Sequence, residues 1–182
     1  YVLTPDSDTI VGCRYTSAGH LRSLPGSTRR LTRNPAGGLT DAAQIQFSPN
    51  GRRLVVTEKA SNSIDTFKVR SGRAGVARPH PSAGMVPYGF DFDRRGTLVV
   101  SEAATGSASS YRVAPRFRAV TKALGNTQAA ACWVAISGHY EWVVNAASDS
   151  ISSYRIHRNG SLTLVKAVAA STGMGPTEAA VA

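Results

Sequence analysis

The sequence predicts an all-β fold, a β-propeller of four-stranded antiparallel blades. Three observations predict it. Apolar runs of about five residues, rich in Val, Ile, Trp and Tyr, alternate with breaks of Gly, Asn, Asp and Ser, as short strands alternate with tight hairpins. The pattern recurs as QIQFSPNGRRLVVTEKASNSIDTFKV from Gln44, YGFDFDRRGTLVVSEAATGSASSYRV from Tyr88 and CWVAISGHYEWVVNAASDSISSYRI from Cys132. Phe47, Phe92, Ile136 and Val181 mark equivalent points of successive units, about 45 residues apart, which is a blade period. Finally, no stretch carries a 3.6-residue apolar period over the length of a helix.

Blade one is expected to draw on both ends of the chain, 1–34 and 177–182. Tyr1-Val2-Leu3 matches the second strand of later units, Thr9 to Tyr15 the third, and His20 to Leu24 begins the fourth. A Gly-rich loop, Pro35 to Thr40, leads onward. Blade two occupies 43–79, with strands near 43–48, 53–58, 63–69 and 74–79. Its Asn50-Gly51 and Ser71-Gly72 pairs supply the positive φ that tight hairpins need. Blade three occupies 88–123 (strands near 88–93, 97–102, 108–113 and 117–123). Blade four occupies 132–168 (strands near 132–137, 140–145, 150–156 and 161–168), and 177–182 is one more first strand. That makes roughly sixteen strands at four per blade. The four anchor residues should be buried alike on the innermost strands. No linker or second domain separates the units.

The chain has 182 residues, 42% of them hydrophobic, enough for a sizeable core. No apolar run approaches the ~20 residues of a membrane-crossing helix, so membrane insertion is not expected. Neither an initiator methionine nor a signal-peptide pattern opens the chain, which reads as a processed or truncated terminus. Cys13 and Cys132 have no metal or redox spacing and are expected as buried free thiols. The formal net charge is +10 and the pI about 10.3, carried mostly by arginine. A GC-rich genome gives such a bias without functional cause, so nucleic acid is not the expected partner. The placement of charge is more informative. Arg52, Arg53, Arg94 and Arg95 lie on turns between first and second strands. Arg14, Arg22, Arg70, Arg73, Arg112, Arg116, Arg118, Arg155 and Arg158 lie around turns between third and fourth. Propeller geometry puts both sets on one face, with Asp6, Asp8, Asp41, Glu58, Glu102 and Asp149 toward the other. The basic face is then either a set of solvated turns or a dock for an anionic surface.

LVVTEKASNSIDTFKV (54–69), PYGFDFDRRGTLVVSEAATGSASSYRV (87–113) and CWVAISGHYEWVVNAASDSISSYRI (132–156) resemble the lactonase-like seven-bladed propellers. That group contains propeller-type 6-phosphogluconolactonase and carboxymuconate cyclase, and the likeness is to its bacterial members. It covers nearly the whole chain. It implies a seven-bladed ring about twice this length, of which the chain holds about four blades' worth, and a small-molecule lactone as substrate. No cofactor or metal is implied. The family's histidines at the starts of first strands have no counterpart at Asp41 to Gln44, Pro87 to Gly89, Cys132-Trp133 or Pro176 to Glu178. The resemblance therefore supplies no catalytic residue. An open arc, or completion by a second chain, is expected over a closed four-bladed ring.

Loops joining second to third strands, and blade to blade, share the usual ligand face. Glu58, Lys59, Glu102 and Asn145 end second strands there, and His80 lies in the blade-to-blade loop. Asp41, Tyr88, Trp133 and Glu178 open innermost strands beside the channel. Lactone hydrolysis needs a base to activate water and donors for the developing oxyanion. Glu58, Glu102 and His80 are the candidate catalytic bases, and Lys59, Tyr88, Trp133 and Asn145 the candidate ligand contacts. Lys59 beside Glu58 favours an ionised carboxylate and leaves Glu102 the better base. Equivalent positions in the repeat also suit Glu58 and Glu102 to bonding neighbouring loops. Two functions stand. One is hydrolysis or cycloisomerisation of a lactone or related ring; the other is a non-catalytic propeller, secreted or on the envelope, that binds a protein partner or ligand. Converging ionisable groups at the channel mouth favour the first.

Overall fold

The computed structural model describes residues 1–181, with seventeen strands and a single 3-10 turn at Pro5–Ser7. The first strands are β1 (Val2–Thr4), β2 (Thr9–Val11), β3 (Cys13–Tyr15), β4 (Leu21–Ser23) and β5 (Arg29–Arg30). Blade two follows as β6 (Ala42–Phe47), β7 (Arg53–Glu58), β8 (Ser63–Arg70) and β9 (Arg73–Pro81). Blade three is β10 (Pro87–Phe92), β11 (Thr97–Glu102), β12 (Ser107–Arg112) and β13 (Arg118–Gly125). Blade four is β14 (Ala131–Ser137), β15 (Tyr140–Asn145), β16 (Ser150–Ile156) and β17 (Leu162–Ser171). Each of these blades is an antiparallel sheet in chain order.

Blade one departs from expectation. Its sheet is β1-β2-β5, and the segment expected as its fourth strand, His20 to Leu24, instead pairs with β3 in a separate hairpin. Gly12 causes this. Its N–H donates to Ser27 Oγ at 3.0 Å, and its carbonyl accepts from Leu24 N at 2.9 Å. That pinches the hairpin off and hands the sheet edge to Arg29-Arg30. A Cβ at Gly12 would stand 2.9 Å from the Tyr1 ring and 3.0 Å from Ser27, so only glycine fits the pinch. The first strand expected at 177–182 does not form over 177–181, which carries no strand; Ala182 lies outside the described residues. Consequently the four anchors are not equivalent. Phe92 is buried and Ile136 half-buried, but Phe47 is 39% and Val181 43% exposed. Phe47 has no innermost strand of blade one beside it, and the Tyr1 ring stands 6.1 Å away. Cys13 and Cys132 are free, as expected, yet half-buried.

The core lies between blades. Leu54 and Val56 pack toward Ile10 and Leu31 of blade one, and the intervening Val55 packs toward Phe90, Leu98 and Tyr111 of blade three. This is period-two alternation with both faces buried. Val99, Ala108, Val134, Val143 and Tyr154 fill the seam between blades three and four. A backbone device repeats at each innermost strand. Asp41, Val86 and Ala130 stand just before β6, β10 and β14 in the left-handed region, with φ of 53°, 59° and 55°. Their carbonyls accept from the N–H of Lys59, Ala103 and Ala146, just beyond each second strand.

Hydroxyls then staple blade to blade. Thr57 Oγ1 donates to the Tyr88 carbonyl at 2.6 Å, and Ser101 Oγ at the equivalent position donates to the Cys132 carbonyl. Gly89 lies under that second staple, where a Cβ would overlap the Cys132 carbonyl and press on the Trp133 backbone. Backbone cannot swing aside as a side chain can. Gly89→Ala should therefore cost about 2 kcal/mol in denaturant melts. Gly125→Ala, where nothing lies within 4 Å, should be near neutral.

Candidate functional site

Of the predicted site residues, Lys59 and Tyr88 come together, Glu58, Glu102 and Asn145 are buried between blades, and His80 lies on an outermost strand. At the mouth, the Lys59 ammonium lies 3.1 Å from Asp41 Oδ1 and 5.0 Å from the centre of the Tyr88 ring. The hairpin after β7 presents Lys59, the turn before β6 presents Asp41, and the Thr57 staple fixes Tyr88. Repeat alignment isolates these residues. Where blade two has Lys59 and Asp41, blades three and four have Ala103 with Val86 and Ala146 with Ala130. The charged pair is therefore not part of the shared scaffold. Across the next seam stands β14, where Trp133 is half-buried. Burial raises the Cys132 thiol's pKa, and the Lys59 charge opposes that rise.

Glu58, Glu102 and Asn145 occupy one repeat position, facing Ser63, Ser107 and Ser150 across the β7–β8, β11–β12 and β15–β16 ladders. All three are fully buried. Glu102 accepts from Ser82 Oγ at 2.8 Å and from Tyr111 OH at 3.2 Å, and Gly84 presses so closely that a Cβ there would lie 2.6 Å from its side chain. Burial raises the pKa of Glu102 and pushes that of Tyr111 up to about 12. Asn145 donates to Ser150 and Ser152 and accepts from Asn126 at 2.8 Å. Glu58 is different, because Phe67 takes the place of Tyr111 and Asp65 that of Ser109. Its Oε2 accepts from Ser61 at 2.7 Å, while Oε1 has no hydrogen-bond partner. Burial and then the Asp65 charge push the Glu58 pKa up to about 9. Asp65 holds Thr32 of blade one, accepting from its N–H at 2.7 Å and its hydroxyl at 2.8 Å.

His80 is not in a loop. β9 runs through it, pairing it with Ile64, because the prolines on either side take register positions in the sheet's outermost strand. There it stacks on Phe117 of blade three at 4.0 Å and meets Thr66 Oγ1 at 3.0 Å. Burial lowers its pKa. It belongs to the outer rim, away from the mouth.

This architecture matches the family model described as lactonase, seven-bladed β-propeller, over residues 1–127. The chain belongs to the lactonase seven-bladed propeller family. Among solved structures it is similar to a candidate 6-phosphogluconolactonase from Bacteroides fragilis (TM-score 0.77, 13% identity, 94% of this chain and 51% of that one). It is also similar to a protein from Lactobacillus plantarum (TM-score 0.73, 16% identity, 88% and 51%). A third is the periplasmic gluconolactonase of Pseudomonas aeruginosa (TM-score 0.62, 18% identity, 92% and 49%). No curated protein matches the sequence. The chain spans about half the length of these solved structures. At such identities the likeness carries the fold.

Sequence reasoning gave no role to two residues, Asp41, paired with Lys59, and Glu141. Glu141 is fully buried in β15, and neither carboxyl oxygen has a hydrogen-bond partner. Burial raises its pKa well above the usual range, with a further rise from Asp91. The signal was present. Overlaying YEWVVN on RLVVTE and TLVVSE puts Glu141 where the other blades carry core Leu54 and Leu98, facing Ile136 as those face Phe47 and Phe92.

Two stability tests follow from the buried acids. Glu58 ionises near 4.5 when unfolded and near 9 when folded. Its contribution is fully present below 4.5 and lost as pH rises through 9. Glu58→Gln keeps the hydrogen-bonding shape of the neutral acid, so its melting temperature should match the parent at pH 5 and exceed it by several degrees at pH 8 to 9. Glu141→Leu restores the apolar residue of the repeat and removes an unpaired polar group. It should stabilise by about 2 kcal/mol in denaturant melts at pH 7.

Proposed function

We propose that this chain supplies the ligand-holding wall of a lactonase-type propeller, with Lys59, Asp41 and Tyr88 as the contacts for a polyhydroxylated lactone. The observation that carries this reading is the Lys59–Asp41–Tyr88 cluster at the channel mouth, built of residues that depart from the repeat. Lys59 is placed to steady the oxyanion that develops as water adds to a ring ester. Asp41, 59% exposed in its side chain, is the group able to orient or deprotonate that water. Tyr88 offers a face for the sugar ring. Glu58 and Glu102 are enclosed by their neighbours and take no part in this scheme. The solved relatives are about twice as long, so further blades, in the same polypeptide or a second chain, would complete the mouth. A periplasmic gluconolactonase among them supports an envelope location.

A second reading, a propeller that binds such a ligand without turnover, is favoured by the sealing of both second-strand glutamates in the seams. One experiment separates the two. Hydrolysis of glucono-δ-lactone and 6-phosphogluconolactone is followed by acid release, beside calorimetric titration with gluconate. Turnover should appear and fall roughly 100-fold in kcat/KM in Lys59→Ala, with Glu102→Gln unchanged. Gluconate binding without turnover would select the second reading, and neither binding nor turnover would end both.

A further inference from the structure

The opposite face carries a feature that the mouth does not explain. Four clefts open there, of about 760, 400, 320 and 610 Å³. They are contiguous: Arg95 lines both the first and the second, and Arg53 lines the second, third and fourth. Together they run beneath the turns of blades two, three and four. Every one of them is walled by at least two cationic side chains, and no carboxylate lines any of the four. Among the described residues, no arginine of the chain has a carboxylate within ion-pair distance, since the sole salt bridge is that of Lys59.

The acids nearest this face are turned away from it. Asp93 is buried, its carboxylate accepting from Arg95 N at 2.9 Å, Thr97 N at 2.7 Å and Thr97 Oγ1 at 3.1 Å. Glu141 is buried inside the blade. The turns that carry the arginines are also fixed in place. Two bonds from blade three hold the 157–161 turn of blade four, Ser110 Oγ donating to Gly160 O at 2.7 Å and Arg112 Nη2 to Arg158 O at 3.2 Å, and Leu162 N, just after the turn, donates back to Thr121 Oγ1 at 2.9 Å. Base composition can explain how many arginines the chain has. It does not explain a concave run of them from which every carboxylate is excluded.

We propose that this face is a binding track for a linear phosphate polymer. Guanidinium groups pair bidentately with phosphate oxygens, and a series of clefts suits a flexible chain better than a flat bilayer. Little is offered for base stacking, because Phe117 stacks on His80 and the other rings lining the track are the imidazoles of His139 and His157. Recognition is thus of repeating phosphate charge, at a site separate from the ligand mouth.

The test is fluorescence anisotropy with labelled inorganic polyphosphate across a salt series, on the parent, Arg53→Ala, Arg95→Ala and, as control, Arg33→Ala. Arg33 lines a different cavity, beside Glu58. The parent should bind, with log Kd rising steeply with log salt. Each track variant should weaken binding roughly 10-fold and lower the salt slope by about one, while Arg33→Ala binds as the parent does. Thermal melts identical to the parent's confirm that the variants fold. Three results would overturn the proposal: no binding at low salt, equal loss in Arg33→Ala, which would mean diffuse net charge only, or tighter binding of a single-stranded oligonucleotide of equal charge, which would mean a nucleic-acid site.

Discussion

The hydroxyl staple between blades is the contact on which the rest of this structure depends. A blade has two apolar faces and no stability alone, so the angle at which the next blade docks decides whether both faces are filled. Thr57 and Ser101 fix that angle from a single position, one residue before the end of the second strand, by donating to a carbonyl of the neighbouring innermost strand. Gly89 permits the second approach, and the left-handed residue before each innermost strand aims its carbonyl back at the preceding hairpin. Core packing, the position of Tyr88 and the shape of the channel mouth all follow from that spacing.

Nearly all of the sheet structure of blades two to four was legible in the sequence, because strand alternation and turn residues agreed in three copies. The errors fell where that redundancy ended. Blade one has a single copy of its own pattern, and the pinch at Gly12 depends on Ser27 and Leu24, which no repeat alignment connects to it. His80 between prolines looked like a loop because proline rarely sits in a strand interior; on an outermost strand the missing N–H costs little. Site residues were legible as positions and not as environments. The sequence put Glu58 and Glu102 on the ligand face, whereas the closing of the Ser82 to Gly84 loop over Glu102 is a tertiary event. Glu141 was overlooked for the opposite reason: the apolar pattern around it was strong enough to hide one acid in a leucine position.

Charge is divided by depth as well as by face. Of the carboxylates, Glu58, Glu102 and Glu141 are buried, Asp8 holds Thr40, Asp65 holds Thr32, and Asp91 joins Gln46 to the Ile136 N–H. Apart from Glu141, which bonds to nothing, these acids serve as internal acceptors, and none of them screens the arginines outside. The strongly positive surface is partly a by-product of how the blades are joined. A chain built this way keeps several of its acids where burial holds them neutral or where solvent and partners do not meet them.

The differing surroundings of Glu58 and Glu102 bear on how such a ring can change over time. Blade three closes its glutamate with Tyr111 and Ser82, while blade two, with Phe67 in the tyrosine's place, relies on Asp65 and on the reach of that aspartate to Thr32. The two solutions are incompatible piecemeal: the third strand of one blade set into the other would bring a hydroxyl without its acceptor or an acid without its donor. Although the blades look like copies, each has become fitted to its own neighbour. Duplication or exchange of single blades within this protein would therefore be resisted by its seams, and new rings would arise more readily by joining whole arcs than by shuffling units.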